Sequence, residues 1–311
     1  MNTADPRKTF GEALAEIGKE NSKVLAISAD SSSGSGLGPF KKLFSERHIE
    51  FGIMEQGIIG YAAGLATTGK IPFVVAIAPF LTSRPFEMVR NDVGYMKQNV
   101  KIVGRCAGMS YADLGPTHHS LEDVAILRTI PGFTILVPSD PVEIKEVAKA
   151  AAELNGPVYI KIARDKMPIF NDNKEYKFEL GKGVTLKEGN DLTIVATGVP
   201  VYNALEAANA LEKKGLSVRV INIHTLKPID KEIIIKAAKE TGKIVTVEEH
   251  YLAGGLGSIV AEITAQHAPA KLHMVGVNDQ FASNGPYDGL MAMYNLDTNG
   301  IIKEVESFLK N

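Results

Sequence analysis

Apolar segments of strand length alternate with segments of helical periodicity along almost the whole chain. The strand-like segments are apolar almost continuously, which is typical of parallel strands that are covered on both faces. In the first half, strands are predicted at residues 24–28, 72–78, 100–107, 133–137 and 158–163, and helices at 10–19, 55–67, 85–97, 121–128 and 141–154. This alternation predicts an α/β domain with a mostly parallel sheet.

The apolar periodicity lapses after residue 165 and resumes near residue 191. The intervening segment is rich in Asn, Asp, Lys and Glu and is predicted as a linker over 169–190, between a first domain at 1–168 and a second at 191–311. The second domain has predicted strands at 192–197, 217–223, 243–248 and 272–277, and helices at 202–214, 231–241, 256–267 and 301–309. The predicted fold class is therefore α/β, with two doubly wound domains in tandem.

Composition removes several classes of function. The chain has 311 residues, of which 23% are charged, and a net charge of −2, so no electrostatic feature favours nucleic acid or an acidic membrane as a partner. The single cysteine, Cys106, excludes an internal disulfide and a cysteine-based zinc cluster. The first residues lack the apolar core of a signal peptide, and the apolar run 71–81 is too short to span a bilayer. A cytoplasmic protein is expected.

Candidate binding residues follow the predicted strands, because ligands of open α/β sheets bind beyond the carboxyl ends of the strands. The loop from Ser28 to Gly38 contains Asp30, Ser33 and three glycines, and its N–H and hydroxyl groups could cradle an anion. It lacks the spacing of a dinucleotide fingerprint and the Gly-Lys-Ser/Thr of a P-loop, so a flexible glycine loop is the alternative.

Two histidines and an arginine follow later strands of the first domain. His118 and His119 lie at a loop-to-helix junction, where one could bind a substrate or move protons and the other could be an ordinary surface residue. Arg164 ends the last strand, where it could hold a substrate phosphate or instead form a surface ion pair with Asp165 or Glu175.

Glu55 begins the predicted helix 55–67, at the end where the helix dipole favours a carboxylate. Within this helix, Gly60, Ala63 and Gly64 form a small-residue face that another backbone could approach closely. Taken alone, these features also fit an ordinary packed helix with an acid at its start. The residues by themselves select no reaction.

Four stretches together resemble the transketolase family of thiamine-diphosphate enzymes. They are the segments at 47–57, with Phe-Gly-Ile-Met-Glu-Gln-Gly; at 115–125, with Gly-Pro-Thr-His-His-Ser; at 131–140; and at 225–230, with Thr-Leu-Lys-Pro-Ile-Asp. The resemblance is to the pyrimidine-binding and carboxy-terminal domains and lacks the diphosphate-binding domain. It implies the carboxy-terminal subunit of a split transketolase, which needs an amino-terminal partner subunit to hold Mg²⁺ and diphosphate, in a two-plus-two assembly.

The resemblance also implies a role for each candidate residue. Glu55 would hydrogen-bond the aminopyrimidine of thiamine diphosphate and, with His118, act in catalysis. The implied cofactor-binding residues are Glu55, Phe80, Ile77 and Asp30, and the implied substrate-binding residues are His118, Arg164 and Ser33. No metal ligand is assigned to this chain. The implied reaction moves a two-carbon ketol unit from a ketose or its phosphate to an aldose phosphate.

Two positions depart from the family pattern. Leu114 stands where an acid before Gly-Pro-Thr-His is expected, and Cys106 stands where a histidine is expected. The donor sugar therefore stays open. Three alternatives also stay open: the beta subunit of a 2-oxo acid dehydrogenase, a 1-deoxyxylulose-5-phosphate synthase, and a non-catalytic transketolase-like module.

Overall fold

The computed structural model describes residues 2–32, 34–172 and 176–310. Its first half contains eight strands: β1 (Thr3–Ala4), β2 (Val24–Ser28), β3 (His48–Glu50), β4 (Ile71–Ile77), β5 (Lys101–Arg105), β6 (Thr134–Leu136), β7 (Val158–Lys161) and β8 (Met167–Pro168). The helices are α1 (Pro6–Glu20), α2 (Gly38–Leu43), α3 (Glu55–Thr67), α4 (Ala78–Leu81), α5 (Phe86–Met88), α6 (Asp123–Arg128) and α7 (Pro141–Glu153). A π-helical segment, Val89–Tyr95, continues α5, and 3₁₀ turns cover Ser45–Arg47 and Ala112–Thr117.

The second half repeats the alternation. Its strands are β9 (Val184–Lys187), β10 (Leu192–Ala196), β11 (Val218–Asn222), β12 (Thr225–Lys227), β13 (Lys243–Tyr251) and β14 (Lys271–Val277). Its helices are α8 (Pro200–Glu212), α9 (Lys231–Thr241), α10 (Leu256–His267), α11 (Tyr287–Met293) and α12 (Thr298–Lys310). Among the described residues, no helix is both long and apolar enough to cross a membrane.

Each domain is built on a mostly parallel sheet. The first sheet has the order β12-β6-β7-β5-β4-β2-β3 and the second β14-β13-β10-β11-β9, with only β12 and β9 antiparallel to their neighbours. Successive residues of β4 point to opposite cores: Phe73 packs with α1 residues such as Leu14, and Val74 packs with α3 residues such as Ile58. Both faces are therefore buried, as the continuous apolar strands predict, and the predicted α/β fold class is confirmed.

The predicted linker over residues 169–190 is too long. Strand β9, Val184–Lys187, lies inside it and pairs antiparallel with β11 at the edge of the second sheet. Its residues are only half-buried or exposed, so they do not produce the apolar run by which the other strands were recognised.

Aspartates cap several of the helices. Asp140 accepts a hydrogen bond from the Glu143 N–H at 2.9 Å, with Pro141 in the first helical position. Asp5 and Asp230 cap α1 and α9 in the same way. These caps fix where each helix begins relative to the segment before it.

The two domains share a buried junction. Strand β12 of the second domain joins the edge of the first sheet by pairing with β6. Behind it, the Lys161 ammonium donates to Asp123 Oδ1 at 2.9 Å, and the Tyr159 hydroxyl donates to Asp123 Oδ2 at 2.7 Å. Lys161 also donates to the carbonyl of Glu249 in the second domain at 3.2 Å. Asp123, Tyr159, Lys161 and Glu249 thus form one hydrogen-bonded cluster between the two domains.

Candidate active site

Loops at the carboxyl edge of the first sheet enclose an open cleft of about 350 Å³. Its lining includes all four predicted cofactor residues, namely Asp30, Glu55, Ile77 and Phe80. This placement follows from the topology, because β2 and β4 are adjacent parallel strands and the helix α3 begins at the same edge. Arg84, Arg105 and Tyr111 line the same cleft and were not predicted.

Glu55 is the first residue of α3 and is only 7% exposed. The following turns bury Ile58, Ile59 and Ala62 in the core, which fixes the direction of the helix start. Arg84 donates from Nη1 to Glu55 Oε2 at 3.0 Å. A buried carboxylate therefore faces the cleft with a single charged partner among the residues that the structure describes.

Phe80 supplies an aromatic face beside this carboxylate. It lies in α4, directly after β4, and is half-buried. The guanidinium carbon of Arg84 lies 3.9 Å from the centroid of the Phe80 ring. A planar group with N–H donors on its rim therefore fits against Phe80 while it hydrogen-bonds Glu55.

His118, in the loop after β5, contacts Phe80 and Tyr111 edge to face. Its ring centroid lies 5.2 Å from that of Phe80 and 5.4 Å from that of Tyr111. His118 Nδ1 shares a hydrogen bond of 2.9 Å with the Thr117 hydroxyl, which leaves Nε2 for a ligand. The two adjacent histidines differ: His118 is half-buried at the cleft, whereas His119 is buried.

Arg164 connects to this group through Tyr111. Its guanidinium carbon lies 4.6 Å from the centroid of the Tyr111 ring. Of the two ion-pair partners proposed from sequence, Glu175 lies outside the described residues. Arg164 does not approach Asp165 to ion-pair distance, although its charge lowers the pKa of that carboxyl against the effect of burial. The cation–π contact holds Arg164 toward the cleft side of the strand end.

The loop after β2 closes another side of the cleft. Asp30 has φ of +48°, an unusual left-handed conformation for a residue other than glycine. Its N–H donates to Glu50 Oε1 at 2.5 Å, and the Ser28 hydroxyl donates to Glu50 Oε2 at 2.7 Å. Burial acts to raise the pKa of Glu50, but these hydrogen bonds, together with the Gly52 N–H and the charge of His48, lower it below its usual value. Ser33, the remaining predicted substrate residue, lies outside the described residues.

Positive charge concentrates beneath that loop. Arg105, the last residue of β5, is 6% exposed and donates from Nε to the Ser35 hydroxyl at 2.8 Å. Burial raises the pKa of the neighbouring Cys106 thiol, while Arg105, Arg7 and Arg164 act to lower it. The charges of three guanidinium groups thus act on one buried thiol. The strand-end rule that indicated Arg164 applies equally to Arg105 and could have found it.

The comparisons with known proteins match both domains. Residues 2–169 match the transketolase pyrimidine-binding domain, and residues 181–301 match the transketolase C-terminal domain. The chain belongs to the transketolase family.

Transketolase subunits of similar length are among its relatives. The chain is 40% identical to one of the subunits of apulose-4-phosphate transketolase from Phocaeicola vulgatus, over 98% of this chain and 97% of that one. It is 37% identical to 6-deoxy-6-sulfo-D-fructose transketolase subunit SqwH of Clostridium sp., over 96% and 92%. A solved structure described as a split gene transketolase, inactive beta4 tetramer, is 41% identical with a TM-score of 0.91, and 98% of each chain is covered.

The two departures from the transketolase pattern lie in different environments. Leu114 is 47% exposed in the 3₁₀ turn before His118, whereas Cys106 is fully buried beside Arg105. Leu114 thus presents an apolar side chain to solvent, and Cys106 places a weakly polar thiol in the interior.

The second transketolase domain holds the base of the His118 loop. Glu249 Oε1 accepts a hydrogen bond from the Met109 N–H at 2.6 Å, and Oε2 accepts one from the Tyr287 hydroxyl at 3.0 Å. Gly108 has φ of +64°, and a Cβ there would lie 2.3 Å from the Glu249 carboxyl carbon, so this position requires glycine. Burial raises the pKa of Glu249 to about 7. No local pattern signals this contact, because it crosses between domains.

Proposed function

We propose that this chain is the subunit of a thiamine-diphosphate-dependent transketolase that holds the aminopyrimidine end of the cofactor. The observation that carries the proposal is the pairing of buried Glu55 with the face of Phe80, a site whose shape accepts a planar N–H donor. When bound, thiamine diphosphate supplies the chemistry that breaks a carbon–carbon bond beside a ketose carbonyl. The enzyme transfers a two-carbon ketol unit to an aldose phosphate.

Each residue of the cleft is assigned its own role toward the cofactor. The Glu55 carboxyl hydrogen-bonds a ring nitrogen of the aminopyrimidine and thereby controls where its protons reside. Phe80 and Ile77 pack against the ring, and Asp30 borders it. Among residues 2–32, 34–172 and 176–310, no group of three His, Cys, Asp or Glu side chains could hold a metal ion. From the resemblance to split transketolases, we assign Mg²⁺ and the diphosphate to the partner subunit.

The substrate end of the cleft is suited to an anionic sugar. His118 offers Nε2 to the hydroxyls of the donor, and Arg164 with its neighbouring guanidinium groups attracts a phosphate or a sulfonate. We assign Ser33 to the same end from its place in the loop. The relatives named for a sugar phosphate and for a sulfonated sugar support an anionic donor.

Calorimetry tests the proposal directly. Thiamine diphosphate with Mg²⁺ is titrated into this chain alone and then into its complex with the amino-terminal subunit. We expect binding only in the complex, with loss of binding in Glu55→Ala and normal binding in Glu87→Ala, an exposed acid that pairs with Arg90. Turnover of a ketose phosphate but not of pyruvate excludes the 2-oxo acid dehydrogenase alternative. If the intact complex binds no cofactor, the chain is a non-catalytic module.

Assembly with another chain is proposed through the exposed side of α3. Ile53, Met54 and Tyr61 are 77%, 54% and 43% exposed, an unusual density of large apolar side chains beside a cleft. Gly57 and Gly64 lie on the same side and are exposed. The sequence-based prediction that Ala63 shares this face is wrong, because Ala63 is buried in the chain's own core.

Gly64→Leu should weaken this assembly about 10- to 100-fold, since overpacking a close contact costs about 1–3 kcal/mol. At Gly64 a Cβ meets no atom within 4 Å in the chain itself, so folding should survive. Gly60 is a poorer test, because its Cβ would lie 3.3 Å from Asp92 Oδ2. Gly289→Leu, at an exposed helical glycine that is equally open, is the matched control. Unchanged sedimentation of the Gly64 variant complex would place the interface elsewhere.

A further inference from the structure

Arg84 makes two contacts that the reaction does not use. Its guanidinium lies 3.9 Å from the Phe80 centroid and donates to Glu55 Oε2 at 3.0 Å. Its backbone is fixed, because its N–H donates to the Pro79 carbonyl and its carbonyl accepts from the Gln56 side chain. The side chain itself is 41% exposed. It can therefore leave the cleft without any rearrangement of the fold.

These two contacts are the ones that the proposed function gives to the aminopyrimidine. A guanidinium and an aminopyrimidine are both planar, both can stack on an aromatic ring, and both carry N–H groups on the rim. The Arg84 guanidinium already lies at stacking distance over the Phe80 ring. Arg84 and the cofactor ring are therefore alternative occupants of the same place.

The charge of Arg84 opposes the cofactor as well. Its guanidinium donates at 3.0 Å to a carboxylate oxygen that a ring nitrogen would need. Departure of Arg84 leaves the buried Glu55 carboxyl without this partner, so that its oxygen becomes available to the ring.

We propose that Arg84 is a gate over the aminopyrimidine site. Its side chain covers Phe80 and neutralises Glu55, and the cofactor ring displaces it toward solvent. This inference rests on the proposed function, and it adds that the chain itself lowers its own affinity for the cofactor.

The variant Arg84→Ala tests the gate. The measured quantity is the affinity for the cofactor, and no turnover assay is needed. In the complex with the amino-terminal subunit, the variant should bind thiamine diphosphate with Mg²⁺ about 5- to 30-fold more tightly than the wild type. That factor corresponds to an ion pair plus a cation–π contact of partly exposed groups. Arg90→Ala, which removes an exposed arginine paired with Glu87, should leave the affinity unchanged.

The outcomes separate the gate from the function. Equal or weaker cofactor binding by Arg84→Ala, in a complex where Glu55→Ala abolishes binding, overturns the gate and leaves the proposed function standing. If neither the wild-type complex nor the Arg84→Ala complex binds the cofactor, both the proposed function and the gate are contradicted. Tighter binding by Arg84→Ala, with Arg90→Ala at the wild-type affinity, supports both.

Discussion

Glu55→Gln in the assembled complex is expected to lower the rate of ketol transfer at least about 100-fold, the lower end of what a positioned acid or base contributes. Glutamine has nearly the same volume as glutamate and can still pack at the start of α3. Its amide cannot give a proton to a ring nitrogen or take one back. The rate should therefore fall while the protein remains folded and assembled.

The measurement is the initial rate with a ketose donor on which the wild-type complex is active, together with sedimentation of the variant complex. Glu87→Gln is the matched control, because it makes the same change at an exposed acid outside the cleft. A Glu55→Gln complex that is assembled and transfers ketol units at the wild-type rate would contradict the catalytic role.

Much of the fold could be predicted because its main elements have clear local patterns. Helix α3 has the predicted bounds, and α7 begins at Pro141, as the sequence indicated, with Asp140 as its cap. The short edge strands β3 and β12 were missed. They have three residues each, and they are defined by pairing with distant strands instead of by a pattern of their own.

The residues proposed to hold the aminopyrimidine could be predicted from the sequence, whereas the residues that contact and support them could not. Glu55, Phe80 and Ile77 follow from the resemblance and from the strand-end rule, and the structure brings them together at one cleft. Arg84 was missed because nothing local indicates that its long side chain folds back over Phe80. Glu249 was missed because its partner, Met109, is 140 residues away in sequence.

Lys161→Met is expected to lower the free energy of unfolding by about 3–5 kcal/mol at pH 8, the typical cost of leaving one member of a buried ion pair alone. Asp123 is fully buried, and its carboxylate loses the ammonium at 2.9 Å. The variant also loses the bonds from Lys161 to the Ser120 and Glu249 carbonyls, which join the base of the His118 loop to the second domain.

Lys101→Met is the matched control. Lys101 is also fully buried, but it donates only to the backbone carbonyls of Leu154 and Gly156, at 2.6 and 2.7 Å. Burial lowers its pKa to about 7, so it gives up its charge readily at pH 8. Its replacement leaves unpaired carbonyls without an unpaired charge, and we expect a smaller loss of about 1–3 kcal/mol.

The pH dependence distinguishes a lost ion pair from lost packing. In the wild type, burial raises the pKa of Asp123, but Lys161 and the other neighbours lower it below its usual value of 3.8. The pair therefore stabilises the fold above pH 3.8, and this contribution is lost as the pH falls through the lower folded value. In Lys161→Met the ammonium that most strongly lowers the pKa of Asp123 is gone, and we expect burial to outweigh the remaining hydrogen bond from Tyr159. The folded state then takes up a proton that the unfolded state does not hold. The stability gap to the wild type should narrow as the pH is lowered from 8 to 5.

The double variant Lys161→Met with Asp123→Asn completes the test by urea unfolding. It removes both charges and keeps the Tyr159 hydroxyl, which donates to Asp123 in the wild type, within reach of the asparagine carbonyl. We expect it to recover most of the stability that Lys161→Met loses, because the dominant cost in the single variant is the isolated buried carboxylate. If the double variant is as unstable as the single one at every pH, packing around the Lys161 stem holds the junction, and the ion pair contributes little.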